Sequence, residues 1–180
     1  MKKTVIVING SGGVGKDTMC DFAAEYYSVK VISAITPVKK IAKRCGWNGE
    51  KDEKSRRFLS ELKDLLIRFN DLPNRYLLKK TGKFARDQKH EVLFVHIREI
   101  PEIEKYISGV REQLQGQELR IATLLVTRRD SRKWNNASDD KVADYDYDFV
   151  YGNDKPLADA RGDFASFFRE ALNNVWNEGD

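Results

Sequence analysis

The sequence predicts an α/β protein in which a five-stranded parallel sheet is covered by helices on both faces. Five short segments are β-branched and almost continuously apolar at their centres, as in VIVI, VLFV and IATLLV. Strands with this pattern are buried on both faces, which is typical of parallel sheets. Predicted helices separate most of the segments, as right-handed crossovers between parallel strands require. A chain of 180 residues corresponds to one ordinary domain, so we expect a single domain over residues 1–180.

The expected order of elements is strand, helix, strand, several helices, strand, helix, strand, loop, strand, helix. The predicted strands are residues 4–9, 30–34, 91–97, 120–127 and 148–151.

A helical insertion is predicted between the second and third strands, over about residues 36–90. Pro37 suits the first turn of one helix because that position needs no backbone N–H. A second helix is expected over residues 55–69, with apolar residues along one face. Residues 72–74, Leu-Pro-Asn, are expected to interrupt it before a third helix around residues 75–85. We expect the insertion to form a lobe over a ligand.

The composition excludes several classes of protein. Hydrophobic residues make up 41% of the chain and charged residues 33%, which is typical of a soluble globular protein. The net charge of +4 suits anionic ligands, but no basic run with interleaved aromatic residues indicates nucleic acid. The first apolar stretch is too short for a secretory signal or a membrane span. Cys20 and Cys45 have neither disulfide nor metal-ligand spacing. We therefore expect a cytoplasmic protein without a membrane partner.

The most specific signal is the segment VIVINGSGGVGKDT at residues 5–18, which follows the first strand and enters a predicted helix. Its pattern is glycine, four residues, then Gly-Lys, ending at Lys16. Glycines let backbone N–H groups curve around a phosphate, the helix N-terminus adds positive potential, and Lys16 reaches the β- and γ-phosphates. The segment predicts a phosphate loop and the three-layer P-loop NTPase fold. The residues expected to bind ATP are Gly10, Gly12, Gly13, Val14, Gly15, Lys16, Asp17 and Thr18.

The residue after the lysine departs from the usual pattern. A serine or threonine that meets Mg²⁺ is expected there, whereas this chain has Asp17 followed by Thr18. Mg²⁺ prefers hard oxygen ligands, so the Asp17 carboxylate is a candidate metal ligand. Alternatively, the carboxylate of Asp17 accepts a hydrogen bond from the acceptor substrate, and the sequence does not choose between these two roles.

Other motifs separate the classes of P-loop protein. A signalling GTPase needs Asn-Lys-x-Asp after a late strand, whereas this chain has Asn153-Asp154-Lys155. A motor or helicase ATPase needs acidic residues at the end of a central strand, and the third strand instead ends near His96 and Arg98. A small-molecule kinase needs several cations, because charge spreads over phosphate oxygens in the transition state. The arginines of this chain favour the kinase.

Gly-Lys-Asp-Thr at residues 15–18 resembles the phosphate loop of phage and bacterial deoxynucleoside monophosphate kinases, which are adenylate kinase-like small kinases. Residues 36–42, 51–59, 96–102 and 147–154 resemble further segments of that family in the same order. Phosphomevalonate kinases of the animal type share the Gly-Lys-Asp. The resemblance extends over most of the chain, although only the phosphate loop is specific by itself.

The resemblance implies transfer of the terminal phosphate of ATP, with Mg²⁺, to a nucleoside or deoxynucleoside monophosphate. It also implies that the helical insertion over about residues 36–90 binds this acceptor. Arg56 or Arg57, together with Arg98, would hold the phosphate of the acceptor, because a guanidinium makes paired hydrogen bonds to phosphate oxygens. A lid over about residues 128–144 would bring Arg128 and Arg132 to the transferring phosphate and exclude water.

His96 stands where this family has an aspartate. If that aspartate supports the metal or a substrate hydroxyl, Asp17 or Glu99 must compensate, or the activity is altered or lost. Two alternatives therefore stay open beside the monophosphate kinase. One is a P-loop kinase of another phosphorylated metabolite, similar to phosphomevalonate kinase. The other is a nucleotide-binding regulator without catalysis.

Overall fold

A computed structural model describes residues 2–50, 52–129 and 142–177. Within these residues the chain forms five strands and six α-helices. The strands are β1 (Lys3–Asn9), β2 (Val29–Ser33), β3 (Val92–His96), β4 (Leu119–Thr127) and β5 (Phe149–Gly152). The helices are α1 (Lys16–Ala24), α2 (Ile35–Arg44), α3 (Glu53–Asn70), α4 (Leu72–Ala85), α5 (Ile100–Gln113) and α6 (Leu157–Asn177).

The five strands form one parallel sheet in the order β2-β3-β1-β4-β5. Strand β1 lies at the centre, hydrogen-bonded to β3 on one side and β4 on the other. Every predicted strand is observed, and each of its ends lies within one residue of the prediction. The prediction of a five-stranded parallel sheet is confirmed, because continuous apolar runs are buried on both faces as expected.

Helices cover both faces of the sheet and enclose two cores. Ile6 and Ile8 of β1 pack with α1 and α6 in one core. Val5 and Val7 of the same strand pack with α4 and α5 in the other. Alternate side chains of a strand point to opposite faces, so β1 contributes to both layers. This is the three-layer α/β arrangement of the P-loop NTPase fold.

The insertion consists of α2, α3 and α4, which contact one another. The predicted interruption at residues 72–74 was wrong in its position, because only Asp71, with φ of 54°, separates α3 from α4. Leu72 and Pro73 belong instead to the first turn of α4. Proline is tolerated there because the first-turn N–H has no intrahelical partner.

The apolar face of α3 is only partly covered. No residue of this helix is buried, and Leu65 and Phe69 are 54% and 78% exposed. None of the helices in the described ranges is both long and apolar enough to cross a membrane.

Candidate active site

The phosphate loop connects β1 to α1 at the carboxyl end of the central strand. Gly10, Gly13 and Gly15 have φ angles of 144°, 83° and 96°, a region that side-chain-bearing residues rarely adopt. A Cβ on Gly10 would lie 2.3 Å from the carbonyl oxygen of Val126, and one on Gly15 would lie 2.5 Å from Nδ2 of Asn153. The close packing of this loop against neighbouring elements therefore requires glycine at both positions.

The N-terminus of α1 opens directly from this loop. Gly15 is its N-cap, and no side chain of the described residues caps this end of the helix. The first intrahelical bond runs from the N–H of Met19 to the carbonyl of Gly15, at 3.0 Å. The N–H groups of the first turn therefore have no intrahelical acceptor, and together with the glycine loop they form a site for an anion.

The side chain of Lys16 is hydrogen-bonded to the backbone of its own loop. Its Nζ donates to the carbonyl oxygens of Gly10 at 2.5 Å and Ser11 at 2.8 Å. Hydrogen bonds from an ammonium to an anionic oxygen are stronger than those to a neutral carbonyl. A phosphate in the loop can therefore draw Lys16 away from these carbonyls without leaving it buried and unpaired.

The side chain of Asn9 attaches the phosphate loop to two neighbouring segments of the chain. The side chain is only 1% exposed, and its Oδ1 accepts a hydrogen bond from the N–H of Gly10 at 2.8 Å. Its Nδ2 donates to the carbonyl of Arg98 at 2.9 Å and to the hydroxyl of Tyr147 at 2.8 Å. One amide thus ties the phosphate loop both to the segment after β3 and to the segment before β5.

Asn153 holds the other side of the loop. Its Nδ2 donates to the carbonyl of Val14 at 2.9 Å, and its backbone N–H donates to the carbonyl of Thr127 at 2.8 Å. Sequence reasoning assigned no role to Asn9 or Asn153. The available signal was a polar side chain directly after a buried strand, at the edge where ligands of α/β sheets bind.

Asp17 and His96 meet at the edge between α1 and β3. The Asp17 side chain is 96% exposed, and its Oδ1 lies 3.8 Å from Nε2 of His96, whose own side chain is 15% exposed. Burial lowers the pKa of His96 below its usual range, and the charge of Asp17 opposes that shift only in part. The sulfur of Cys20 lies 3.8 Å from the same Nε2, and burial raises the pKa of this thiol. His96 is therefore a neutral imidazole near neutral pH.

The residues present fit Mg²⁺ and the phosphates of ATP. Asp17 offers an exposed carboxylate in the first turn of α1, and Thr18 beside it offers a partly exposed hydroxyl. No group of three or more His, Cys, Asp or Glu side chains within the described part of the chain is arranged to hold a metal. Mg²⁺ is commonly held by one or two carboxylates together with substrate phosphates, and this edge of the sheet provides such a donor set.

The arginines that the sequence analysis assigned to phosphate binding lie in different parts of the structure. Arg98 is half-buried two residues after β3, and Arg128 is exposed directly after β4, so both follow strands that flank β1. Arg56 and Arg57 lie exposed on α3, where Nε of Arg57 is 2.8 Å from Oε1 of Glu61. Arg132 and most of the predicted lid lie outside the described residues.

The sequence matches no known protein-family model, and no curated protein matches it. Solved structures do resemble the fold. A putative kinase from Chloroflexus aurantiacus j-10-fl superposes with a TM-score of 0.54 at 11% identity, covering 97% of this chain and 98% of that one. An unliganded sugar kinase from Janibacter sp. HTCC2649 superposes with a TM-score of 0.51 at 14% identity, covering 94% and 95%. At such identities the likeness establishes the fold.

Proposed function

We propose that this chain transfers the terminal phosphate of ATP to a nucleoside or deoxynucleoside monophosphate. The observation that carries the proposal is the arrangement at the carboxyl edge of the sheet. A phosphate loop with an uncapped helix N-terminus lies on the central strand, and Arg98 and Arg128 follow the two flanking strands. Such an edge offers cationic groups for a donor phosphate and for a second, neighbouring phosphate.

The donor side is formed by the loop. The N–H groups of residues 10–18 hold the β- and γ-phosphates, and Lys16 exchanges its carbonyl partners for their oxygens. Asp17, with Thr18 beside it, would hold Mg²⁺. The metal, when bound, neutralises charge that develops on the phosphate oxygens. The rigid attachment of the loop through Asn9 and Asn153 keeps these donors in place before ATP arrives.

The acceptor side is formed by arginines. Arg98 orients the phosphate of the acceptor, and Arg56 or Arg57 of α3 assists it. One oxygen of this phosphate attacks the γ-phosphorus in line, the bond to the bridging oxygen of the β-phosphate breaks, and ADP leaves. Arg128 and Arg132 stabilise the negative charge on the phosphoryl group during its transfer.

A phosphate acceptor also suits the neutral His96. A phosphate oxygen is already anionic at neutral pH, so no residue needs to remove a proton before it attacks. The absence of an aspartate at this position therefore need not abolish transfer to a monophosphate. A hydroxyl acceptor, by contrast, requires a general base within hydrogen-bonding reach.

A second candidate is a P-loop kinase of another small molecule. The fold shared with a protein named as a sugar kinase supports it, and the pair of Asp17 and His96 offers the base that a hydroxyl acceptor needs. For such a substrate, Arg98 would hold a phosphate or carboxylate elsewhere on the acceptor.

ADP release from Mg-ATP tests the proposal, with each common ribo- and deoxynucleoside monophosphate offered in turn and with gluconate and hexoses in separate reactions. We expect turnover with at least one monophosphate and formation of its diphosphate, identified by ³¹P NMR. Lys16→Ala is the control for a contaminating kinase. Turnover of a sugar alone would show that the acceptor is a sugar and not a nucleotide. Binding of ATP without turnover of any acceptor would favour a nucleotide-binding regulator without catalysis.

A further inference from the structure

A small cavity lies beside the proposed acceptor site, between α3, α4, the first turn of α5 and the carboxyl ends of β2 and β3. Four polar side chains, those of Lys63, Asn74, Glu99 and Glu102, line it together with apolar walls that include Leu77 and Ile97. Its volume is about 10 Å³, which is room for one water-sized group. A ligand therefore enters with a single functional group.

Asn74 contributes a hydrogen-bond acceptor without a donor. Its side chain is 7% exposed, and its Nδ2 donates to Oδ2 of Asp71 at 3.3 Å. This contact fixes the orientation of the amide, because the amide oxygen would face the carboxylate oxygen if the group were reversed. The remaining atom, Oδ1, is buried and has no hydrogen-bond partner among the described residues. Buried polar atoms are seldom left in this state.

The cations around the cavity are already paired. Nζ of Lys63 forms an ion pair with Glu99, and the side chain of this lysine is only 12% exposed. Nζ of Lys105 lies 3.5 Å from Glu102 and 3.0 Å from Asp71. Among the polar atoms of the side chains that line the cavity, the one that is buried without a hydrogen-bond partner in the described residues is Oδ1 of Asn74.

Two of the residues that line the cavity are the neighbours of Arg98 in the chain. Ile97 and Glu99 flank Arg98, to which the proposed function assigns the acceptor's phosphate. The cavity and Arg98 therefore belong to the same short segment after β3, at the carboxyl edge of the sheet.

We propose that the cavity is a selectivity pocket that receives a hydrogen-bond donor of the acceptor substrate, an amino or hydroxyl group, on Oδ1 of Asn74. This inference rests on the proposed function, because it concerns the non-phosphate end of the same substrate. A carbonyl oxygen in the same place would face the Asn74 oxygen and would leave it unpaired.

The expected consequence is discrimination between acceptors that differ in one donor. CMP and UMP differ mainly in an amino group against a carbonyl on the base, and so do AMP and IMP. We expect kcat/KM to favour the amino member of at least one pair by about 100-fold or more, since sites that hydrogen-bond a donor strongly reject analogues lacking it. If the donor is a sugar hydroxyl, the difference appears between CMP and dCMP, or between dCMP and its 3′-deoxy analogue.

Two variants distinguish the pocket from a general effect at the junction of α3 and α4. Asn74→Ala should reduce the discrimination at least tenfold, while turnover of the poorer acceptor is retained. Asn70→Ala is the matched control, because Asn70 also carries a buried oxygen without a partner among the described residues but does not line the cavity. Thermal unfolding and binding of Mg-ATP establish that both variants are folded.

The outcomes separate this inference from the proposed function. Turnover of all the monophosphates without preference within any pair, or unchanged preference in Asn74→Ala, would overturn the pocket while retaining the proposed function. If no monophosphate is turned over, the proposed function fails, and calorimetric binding of the same pairs of monophosphates in the presence of ADP tests the pocket alone. Binding of the donor-bearing member of one pair at least tenfold tighter, and dependent on Asn74, would retain the pocket. Equal or absent binding within every pair would overturn it.

Discussion

The two edges of the sheet use the same chemical group for different purposes. At the carboxyl edge, the ammonium of Lys16 donates to two backbone carbonyl oxygens of the phosphate loop. At the amino edge, the ammonium of Lys3 also donates to two backbone carbonyl oxygens, those of Asp87 and His90 after α4. A lysine bonded to two carbonyls is therefore not by itself a sign of function.

The surroundings of the two ammonium groups differ. Lys3 is 6% exposed and lies over the ring of Phe84, with Nζ 4.9 Å from the ring centre. Its partner segment is fixed by Oδ2 of Asp87, which lies 2.6 Å from Nδ1 of His90. Lys16 is bonded instead to a glycine loop beside the exposed Asp17. Burial and the rigidity of the partners decide whether such a lysine stabilises the fold or remains available to a ligand.

Replacing Lys16 tests the carboxyl edge and should have the largest effect. We expect Lys16→Ala to reduce phosphoryl transfer by about 1000-fold or more, because a cation is removed from the charge of the transition state. The melting temperature should change little, since the partners of Lys16 are carbonyls of a partly exposed loop. Single-turnover kinetics and thermal unfolding of the same preparation measure the two effects. A large loss of stability with little loss of rate would show that Lys16, like Lys3, stabilises the fold.

Arg98 should contribute less than Lys16, because it acts on the acceptor alone. Arg98→Ala is expected to lower kcat/KM for the acceptor by about 100-fold, mainly through KM, while the KM for ATP changes little. Arg169→Ala, an exposed position on α6, is the matched control. Unchanged kinetics for the acceptor would remove Arg98 from the site.

Replacing Lys3 tests the amino edge. Lys3→Met leaves two carbonyl oxygens without this donor, and we expect the free energy of unfolding to fall by about 1–3 kcal/mol. The kcat of the proposed phosphoryl transfer should be unchanged. Urea unfolding monitored by tryptophan fluorescence measures the effect, with Lys54→Met, an exposed position on α3, as control. A fall in kcat at unchanged stability would show that the two edges are coupled.

The smallest expected effect is a pH dependence at Asp87. The hydrogen bond from His90 and the backbone N–H of Lys89 lower the pKa of this carboxyl from 3.8 to about 2. Its contribution to stability is therefore complete above pH 4 and is lost as the pH falls through about 2. Asp87→Asn should be less stable than the unmodified protein at pH 6, and the difference should shrink between pH 4 and pH 2 in urea unfolding. A difference that does not change with pH would assign the effect to packing.

Structural features that depend on residues close together in the chain could be predicted from the sequence. Continuous apolar runs predicted each strand to within one residue of its observed ends, because burial on both faces leaves few polar positions. The glycines of residues 10–15 predicted the phosphate loop, since its backbone needs positive φ and close packing.

The tertiary structure alone decided which distant side chains meet. Asn9 contacts Tyr147 across 138 positions of the chain, and Asn153 contacts Val14 across 139. Similarly, His96 lies beside Asp17 and Cys20 only because β3 pairs with β1, whose loop leads into α1. Periodicity and turn chemistry act over a few residues and are visible in one sequence. The partner of a buried amide or imidazole depends on the order in which strands pair, which no local pattern specifies.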